Sequence, residues 1–150
     1  MTGMTEEILI VNSDPVLLQA AFNLRREVFV VEQNVPLELE IDEHDASAIH
    51  FVMRQGEGVV ATLRLLSYGD QIKIGRVAVK QPLRRQGLGT KLMQRGIRYA
   101  VESGFSTAIL DSQVTSMPFY RTFGFIEEGA EFDDAGIPHM RMVLRLREHS

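Results

Sequence analysis

The sequence predicts a mixed α/β domain in which a mostly antiparallel sheet of about seven strands, with a bulged central strand, carries helices on both faces. Three observations lead there. First, two apolar stretches, Ile49 to Arg54 and Val59 to Leu66, are joined by Gln55-Gly56-Glu57-Gly58, a turn with the glycines a hairpin needs. Second, the apolar side chains of the next stretch, Gln71 to Val79, change phase: Ile72 and Ile74 are even, Val77 and Val79 odd. A period-two pattern that shifts at Gly75-Arg76 implies one extra residue, a β-bulge, or else a strand apolar on both faces. Third, this strand runs through a basic turn into a helix whose apolar residues Leu88, Leu92, Met93, Ile97, Ala100 and Val101 recur at helical spacing. Ser106 to Gln113 then returns as a strand with an unalternating Ala108-Ile109-Leu110 centre, as a doubly covered strand has. The result is a right-handed βαβ unit with a parallel pairing to Val77 to Val79.

The remaining elements follow from local signals. Ile8 to Val11 is a short strand, and Asp14 and Pro15 have the types expected at a helix N-cap and first position. In that helix Leu17, Ala21, Leu24 and Val28 keep one face, Arg25, Arg26 and Glu27 lie toward the other, and the helix ends before Pro36. Glu38 to Asp45 holds five acids in eight residues, which charge alone reads as a solvated loop at least as readily as a functional one. Tyr68-Gly69-Asp70 makes the second hairpin turn, and Gly104 suits a left-handed helix cap. Ser116 to Phe123 is a short helix closed by Gly124, and Phe125 to Phe132 and His139 to Leu146 are strands around the turn Asp133-Asp134-Ala135-Gly136.

Composition sets the outer bounds. The 150 residues, 45% hydrophobic, fit one domain spanning 1–150 with a proper core, and no repeat or linker divides it. The absence of cysteine removes disulfides, a thiolate nucleophile and zinc–cysteine sites. No apolar run is long enough for a membrane span, and Met1 to Glu7 lacks the basic-then-apolar order of a leader, so a cytoplasmic protein is expected. A net charge of −4 with no basic stripe argues against a nucleic-acid partner and mildly favours cationic small molecules or peptides.

The turn between strand and helix, Lys80 to Thr90, has the character of an anion cradle. The first N–H groups of a helix lack internal partners and carry roughly half a positive charge, so a phosphate can be held there by main-chain donors alone. Gly87 and Gly89 permit close approach, and Arg84 and Arg85 add charge beside it. A tight turn in which the glycines serve only the backbone is the plain alternative. Neither common nucleotide motif fits: a Walker loop needs four residues between its glycines, and a dinucleotide fingerprint needs a third small residue where this chain has Leu92, although Asp111 lies at a distance suited to a ribose.

What does fit is Arg84-x-x-Gly87-x-Gly89 after an apolar strand, which resembles the acyl-CoA pyrophosphate loop of the GNAT superfamily of N-acetyltransferases. Pro118-Phe119-Tyr120-Arg121-Thr122-Phe123-Gly124-Phe125 is similar to the superfamily's second motif, a short helix with a tyrosine ending in Gly-Phe. Arg25 to Pro36, Glu40-Ile41-Asp42-Glu43 and Phe132 to His139 resemble a bacterial branch of small, mostly uncharacterised members, so the resemblance covers nearly the whole chain. It implies the same fold, acetyl-CoA as co-substrate, a small amine or peptide as acceptor, and no metal; a homodimer is compatible with it. In the resembling fold Glu38, Glu40, Asp42, Glu43 and Asp45 border the acceptor side, so a cationic amine drawn in by their field is expected. Asp42, Glu43, His44 and Asp45 also lack the spacing of a calcium loop.

The resemblance further implies that the CoA pyrophosphate lies over the N–H groups of Arg85, Gln86, Gly87, Leu88, Gly89 and Thr90, beside Arg84, and the pantetheine arm along Val77, Ala78 and Val79. Phe119 and Tyr120 border the thioester, with Tyr120 at the position that serves the departing sulfur; packing among Phe119, Phe123 and Phe125 is its alternative role. Many relatives present an asparagine to the pantetheine arm where this chain has Gln113. Without a cysteine or a Gly-x-Ser-x-Gly elbow, direct transfer in a ternary complex is expected. A lysine-like amine is almost wholly protonated at neutral pH, a handicap of about 4 kcal/mol, so a base is required. Glu40 is the first candidate and His139 the second; either residue type also serves purely structural roles. A non-catalytic acyl-CoA-binding module is the competing function, and a dinucleotide enzyme stands well behind both.

Overall fold

A computed structural model describes residues 6–146 of the chain; Met1 to Thr5, at the start of the stretch read above for a leader, lie outside the described residues. Seven strands form one sheet in the order β1-β2-β3-β4-β5-β7-β6. They are β1 (Glu6–Ile10), β2 (Ile49–Gln55), β3 (Gly58–Tyr68), β4 (Gln71–Val79), β5 (Thr107–Gln113), β6 (Ile126–Asp134) and β7 (Ile137–Arg145). Every neighbouring pair is antiparallel except β4 and β5.

The helices cover both faces because the strands alternate. Phe51 and Met53 of β2 pack with Leu88, Leu92, Met93 and Ala100 of α3 (Leu88–Glu102) on one face. Val52, between them, packs with Val11, just past β1, and with Ala21 of α1 (Pro15–Arg25) on the other. Asp14 caps α1 by accepting from the Leu17 N–H at 3.1 Å, and Pro15 opens it, as its sequence predicts. From Arg26 to Glu32 the helix continues in π-helical form.

The phase change in β4 is a bulge. Opposite Arg64 of β3 stands Gly75, and opposite Thr62 stands Ala78, so Arg76 and Val77 together face the single residue Leu63. Arg76 takes the left-handed conformation, φ 51°, that accommodates the extra residue. Ile72 and Ile74 before the bulge and Val77 and Val79 after it thereby reach the same α3-side core.

The expected parallel pairing requires correction. β5 pairs with β4 only from Gln71 opposite Thr107 to Ile74 opposite Leu110, so Val77 to Val79 are not its partners. The bulge bends β4 away, and past Ile74 the two strands diverge. Val79 and Ala78 stay paired to β3, which leaves the β5-facing edge of this segment without a strand partner.

A second correction concerns Arg25, expected on the outer side of α1. It is 1% exposed. At 3.6 residues per turn it lies about 40° round the helix from Ala21, on the flank of the apolar face rather than opposite it.

Candidate active site

Where β4 and β5 part, the unpaired edge of Val77 to Val79 runs from a cavity of about 230 Å³, which Val77 lines, to the start of α3, where Gly89 lies against Val79. The chain enters α3 through Arg85 and Gly87, both left-handed at φ 66° and 81°. Gly87 is the N-cap and no side chain caps the helix, whose first ring-closing bond runs from the Lys91 N–H to the Gly87 carbonyl at 3.1 Å. The N–H groups of Leu88, Gly89 and Thr90 are therefore available to a ligand.

The two glycines differ in purpose. Gly87 supplies a positive φ with open space around it. A Cβ on Gly89 would stand 3.4 Å from the Phe119 ring and 3.5 Å from Val79, so a larger side chain would wedge α3 away from β4 and α4 (Met117–Arg121). The sequence reads both glycines as room for a phosphate; at Gly89 the nearer limit is this packing.

Arg84 has a different occupation from the one expected. Its Nε donates to the Val79 carbonyl at 2.9 Å, and Nη1 and Nη2 each reach a Glu32 carboxylate oxygen at 2.8 Å. The guanidinium ties the loop to the strand and to the helix after α1, and its charge is balanced there. Arg85 and Gln86 are exposed.

The cavity lies on the α1 side of the sheet, and its lining includes Phe29, Glu40, Val77, Gln113, Tyr120 and His139. Tyr120 is edge-on to Phe119 and Phe125 yet still lines the cavity. Burial pushes its phenol up to about 12. His139 stacks on Phe132, and its Nδ1 donates to the Ile137 carbonyl at 2.7 Å, which leaves Nε2 as the acceptor of the neutral ring. In register across β5 and β7, Gln113 stands opposite His139; its Nε2 donates to Gln33 Oε1 at 2.7 Å, and both glutamines line the cavity.

Glu40 lies in a network that composition did not reveal. It is 1% exposed and accepts from Arg25 through both carboxylate oxygens, while Arg76 approaches the same carboxylate at 2.8 Å. Asp45 accepts from Arg25 at 2.7 Å and from Arg64 at 3.0 Å, and Asp42 from Arg64 at 2.7 Å and from Arg76 at 3.1 Å. Three arginines from α1, β3 and β4 thus neutralise three acids of the segment between Pro36 and Ala48. Burial works against ionised Asp45, but hydrogen bonds from Arg25 and the Asp42 N–H hold its carboxyl well below the usual carboxylate range. The solvated-loop reading holds only for the exposed Glu38 and Glu43.

This arrangement corrects the roles expected at two points. Glu40 has both oxygens committed to cations, so it is a poor base for an amine. The attractive field expected from five acids is largely cancelled. The signals that sequence reading passed over were Arg64, a lone charge inside the apolar run Ala61 to Leu66, and Arg76 at the bulge itself. Lys73 and Arg141 bracket Asp111 on the sheet floor at 3.0 and 2.6 Å, which occupies the carboxylate once considered for a ribose.

A model of the acetyltransferase (GNAT) domain matches residues 10–146. The chain belongs to the GNAT acetyltransferase family. It is 39% identical over 127 residues, 84% of this chain and 91% of the relative, to the uncharacterized N-acetyltransferase YjcF of Bacillus subtilis. Among solved structures it superposes on Escherichia coli ElaA with a TM-score of 0.83 at 30% identity, covering 93% of this chain and 98% of that one. An acyl-CoA N-acyltransferase from Pseudomonas aeruginosa gives 0.82, with the same identity and coverage. The mixed seven-stranded sheet with its bulged central strand is thus the GNAT fold. GNAT proteins use acetyl-CoA as co-substrate, and here the diverging strands and uncapped α3 offer main-chain groups suited to its amide arm and phosphates. No described helix is long and apolar enough to cross a membrane.

Proposed function

We propose that the protein transfers acetyl from acetyl-CoA directly to a small primary amine or peptide amine within a ternary complex. The observation that carries this reading is the divergence of β4 from β5 beside an uncapped helix start, with Tyr120 and His139 lining the adjoining cavity. The pantetheine amides would pair with the open edge of Val77 to Val79, and the pyrophosphate would rest on the N–H groups at the start of α3. Such binding holds the thioester in line for the amine, which is where most of the acceleration of an already activated acyl donor arises.

Tyr120 would hydrogen-bond the departing sulfur. With its phenol near 12 and a thiol near 8.5, full proton transfer is uphill by about 5 kcal/mol. Hydrogen bonding to the developing thiolate is therefore the better-supported role than donation of the proton outright. His139, through Nε2, would take the proton of the amine, because Glu40 is committed to Arg25 and Arg76. The expected preference for cationic acceptors becomes a weak one, resting on exposed Glu38, Glu43 and Asp134. That Tyr120 lines the cavity favours catalysis over the binding-only module.

The test is an acetyl-CoA turnover screen over amines, amino acids, polyamines and peptides, run together with calorimetry of CoA binding. Turnover with at least one primary amine and a pH profile that changes in His139→Gln are expected. CoA binding without turnover of any amine would restore the binding module.

A further inference from the structure

The wall of the cavity nearest α1 is built inside out. Leu37, Leu39 and Ile41 are 46%, 53% and 41% exposed, whereas Glu40, among them, is 1% exposed. Apolar burial therefore does not hold this segment, which comprises the short helix α2 (Leu37–Glu40) and the two residues after it. Charged and main-chain hydrogen bonds do.

Arg76 makes four of these ties, as many as Arg25 makes to Glu40, and it alone reaches three residues of the segment. Its Nε donates to the Glu40 carbonyl at 3.1 Å and lies 2.8 Å from Glu40 Oε2. Its Nη2 donates to the Leu39 carbonyl at 3.2 Å and to Asp42 Oδ2 at 3.1 Å. The residue reaching out in this way is the bulge residue, next in the chain to Val77. It holds a left-handed φ that residues with a Cβ seldom adopt, and such a conformation persists where surrounding contacts fix it.

We propose that Arg76 is a positioning residue that fixes the Leu39–Asp42 wall to the bulge, and so sets the acceptor side of the cavity relative to the strand edge that receives the cofactor. The proposal rests on the acceptor and cofactor sides assigned above. Its physical content is distance. Amine and thioester must come within about 3 to 3.5 Å in line, and a misplacement near 1 Å can cost about a hundredfold in rate. Arg76 belongs to the cofactor strand by its main chain and to the acceptor wall by its guanidinium. Arg25 and Arg64 hold the same wall from α1 and β3, so its loss would let the wall drift without detaching it.

The variants Arg76→Gly and Arg76→Lys separate the two roles. Glycine accepts φ 51° freely, so the bulge stays while the ties go. Lysine keeps the charge but lacks the planar fork that reaches Leu39, Glu40 and Asp42 together. With the best amine from the screen, Arg76→Gly should lower kcat/KM for the amine about tenfold and leave the KM for acetyl-CoA within about twofold, the lysine variant falling between. A kcat/KM for the amine equal to that of the unmodified protein overturns the proposal, as does a parallel loss toward both substrates that follows a fall in Tm. If the glycine variant does not fold, the lysine variant decides on the same split. Calorimetry with CoA keeps the layers apart: no heat with the unmodified protein removes the cofactor assignment and the proposal with it. Normal CoA binding in both variants with an unmoved kcat/KM for the amine removes the positioning role alone.

Discussion

The two sides of the cleft are built from opposite materials. On the side we propose for the cofactor, from Val77 to Thr90, the groups on offer are main-chain atoms shaped by a bulge, two left-handed residues and a glycine packed against Phe119. On the side we propose for the acceptor, from Leu37 to Asp45, they are side chains, three carboxylates enclosed by three arginines while the leucines face outward. A main-chain site depends on local conformation and tolerates most side-chain changes. An ion-paired wall depends on partners far apart in the chain, and removal of any one leaves a buried charge exposed to its neighbours' repulsion.

That contrast predicts where the molecule breaks. The largest effect on stability should come from Glu40→Gln, on the order of 3 kcal/mol, because Arg25 and Arg76 lose a shared counter-charge in a dry site. A urea midpoint close to that of the unmodified protein would show that water reaches the network. Gly89→Asp should weaken CoA binding by at least about a hundredfold in calorimetry, since it pushes α3 off Phe119 and places negative charge at the phosphates. Equal affinity would detach the phosphates from α3. Tyr120→Phe should keep CoA affinity and reduce turnover about ten- to a hundredfold, the range of a lost hydrogen bond to a thiolate. Unchanged turnover assigns Tyr120 to its aromatic cluster alone.

The smallest effects are those of pH, and their signs separate the sides further. Asp42 and Asp45 are held below their ordinary values, so they contribute stability above about pH 4 that is lost as pH falls toward their folded-state values. Buried His50 is depressed by burial, its Nε2–H donating to the Asp45 carbonyl, so the unfolded chain takes up protons first and stability begins to decline below about pH 6.5. Urea midpoints should therefore fall in two stages, the first absent in His50→Gln and the second blunted in Asp45→Asn. CoA affinity, resting on main-chain donors, should change little across the upper stage.

How much of this was legible follows from the same contrast. The bulge is readable because a period-two pattern records every inserted residue, and Ile72, Ile74, Val77 and Val79 record it in four letters. Gly87 and the α1 cap are readable because φ preference and capping act within a few residues. The burial of Arg25 was misread because a residue on the flank of an apolar face has its depth set by what packs over it, here β3 and the segment that follows α2. Glu40 and Asp45 are charged letters in a charged stretch, and nothing local distinguishes a paired carboxylate from a hydrated one.

The sequence by itself determined the order of elements, the bulge, the glycine loop and the family to which they belong, since each is encoded by residues near one another and by conformational preferences that act at short range. Only the tertiary structure decided that β4 leaves β5 after Ile74, that Arg84 serves Glu32 and that Glu40 is locked between Arg25 and Arg76. Those outcomes join residues 15 to 52 positions apart, where Coulomb attraction and desolvation depend on distances that exist only after the chain has folded.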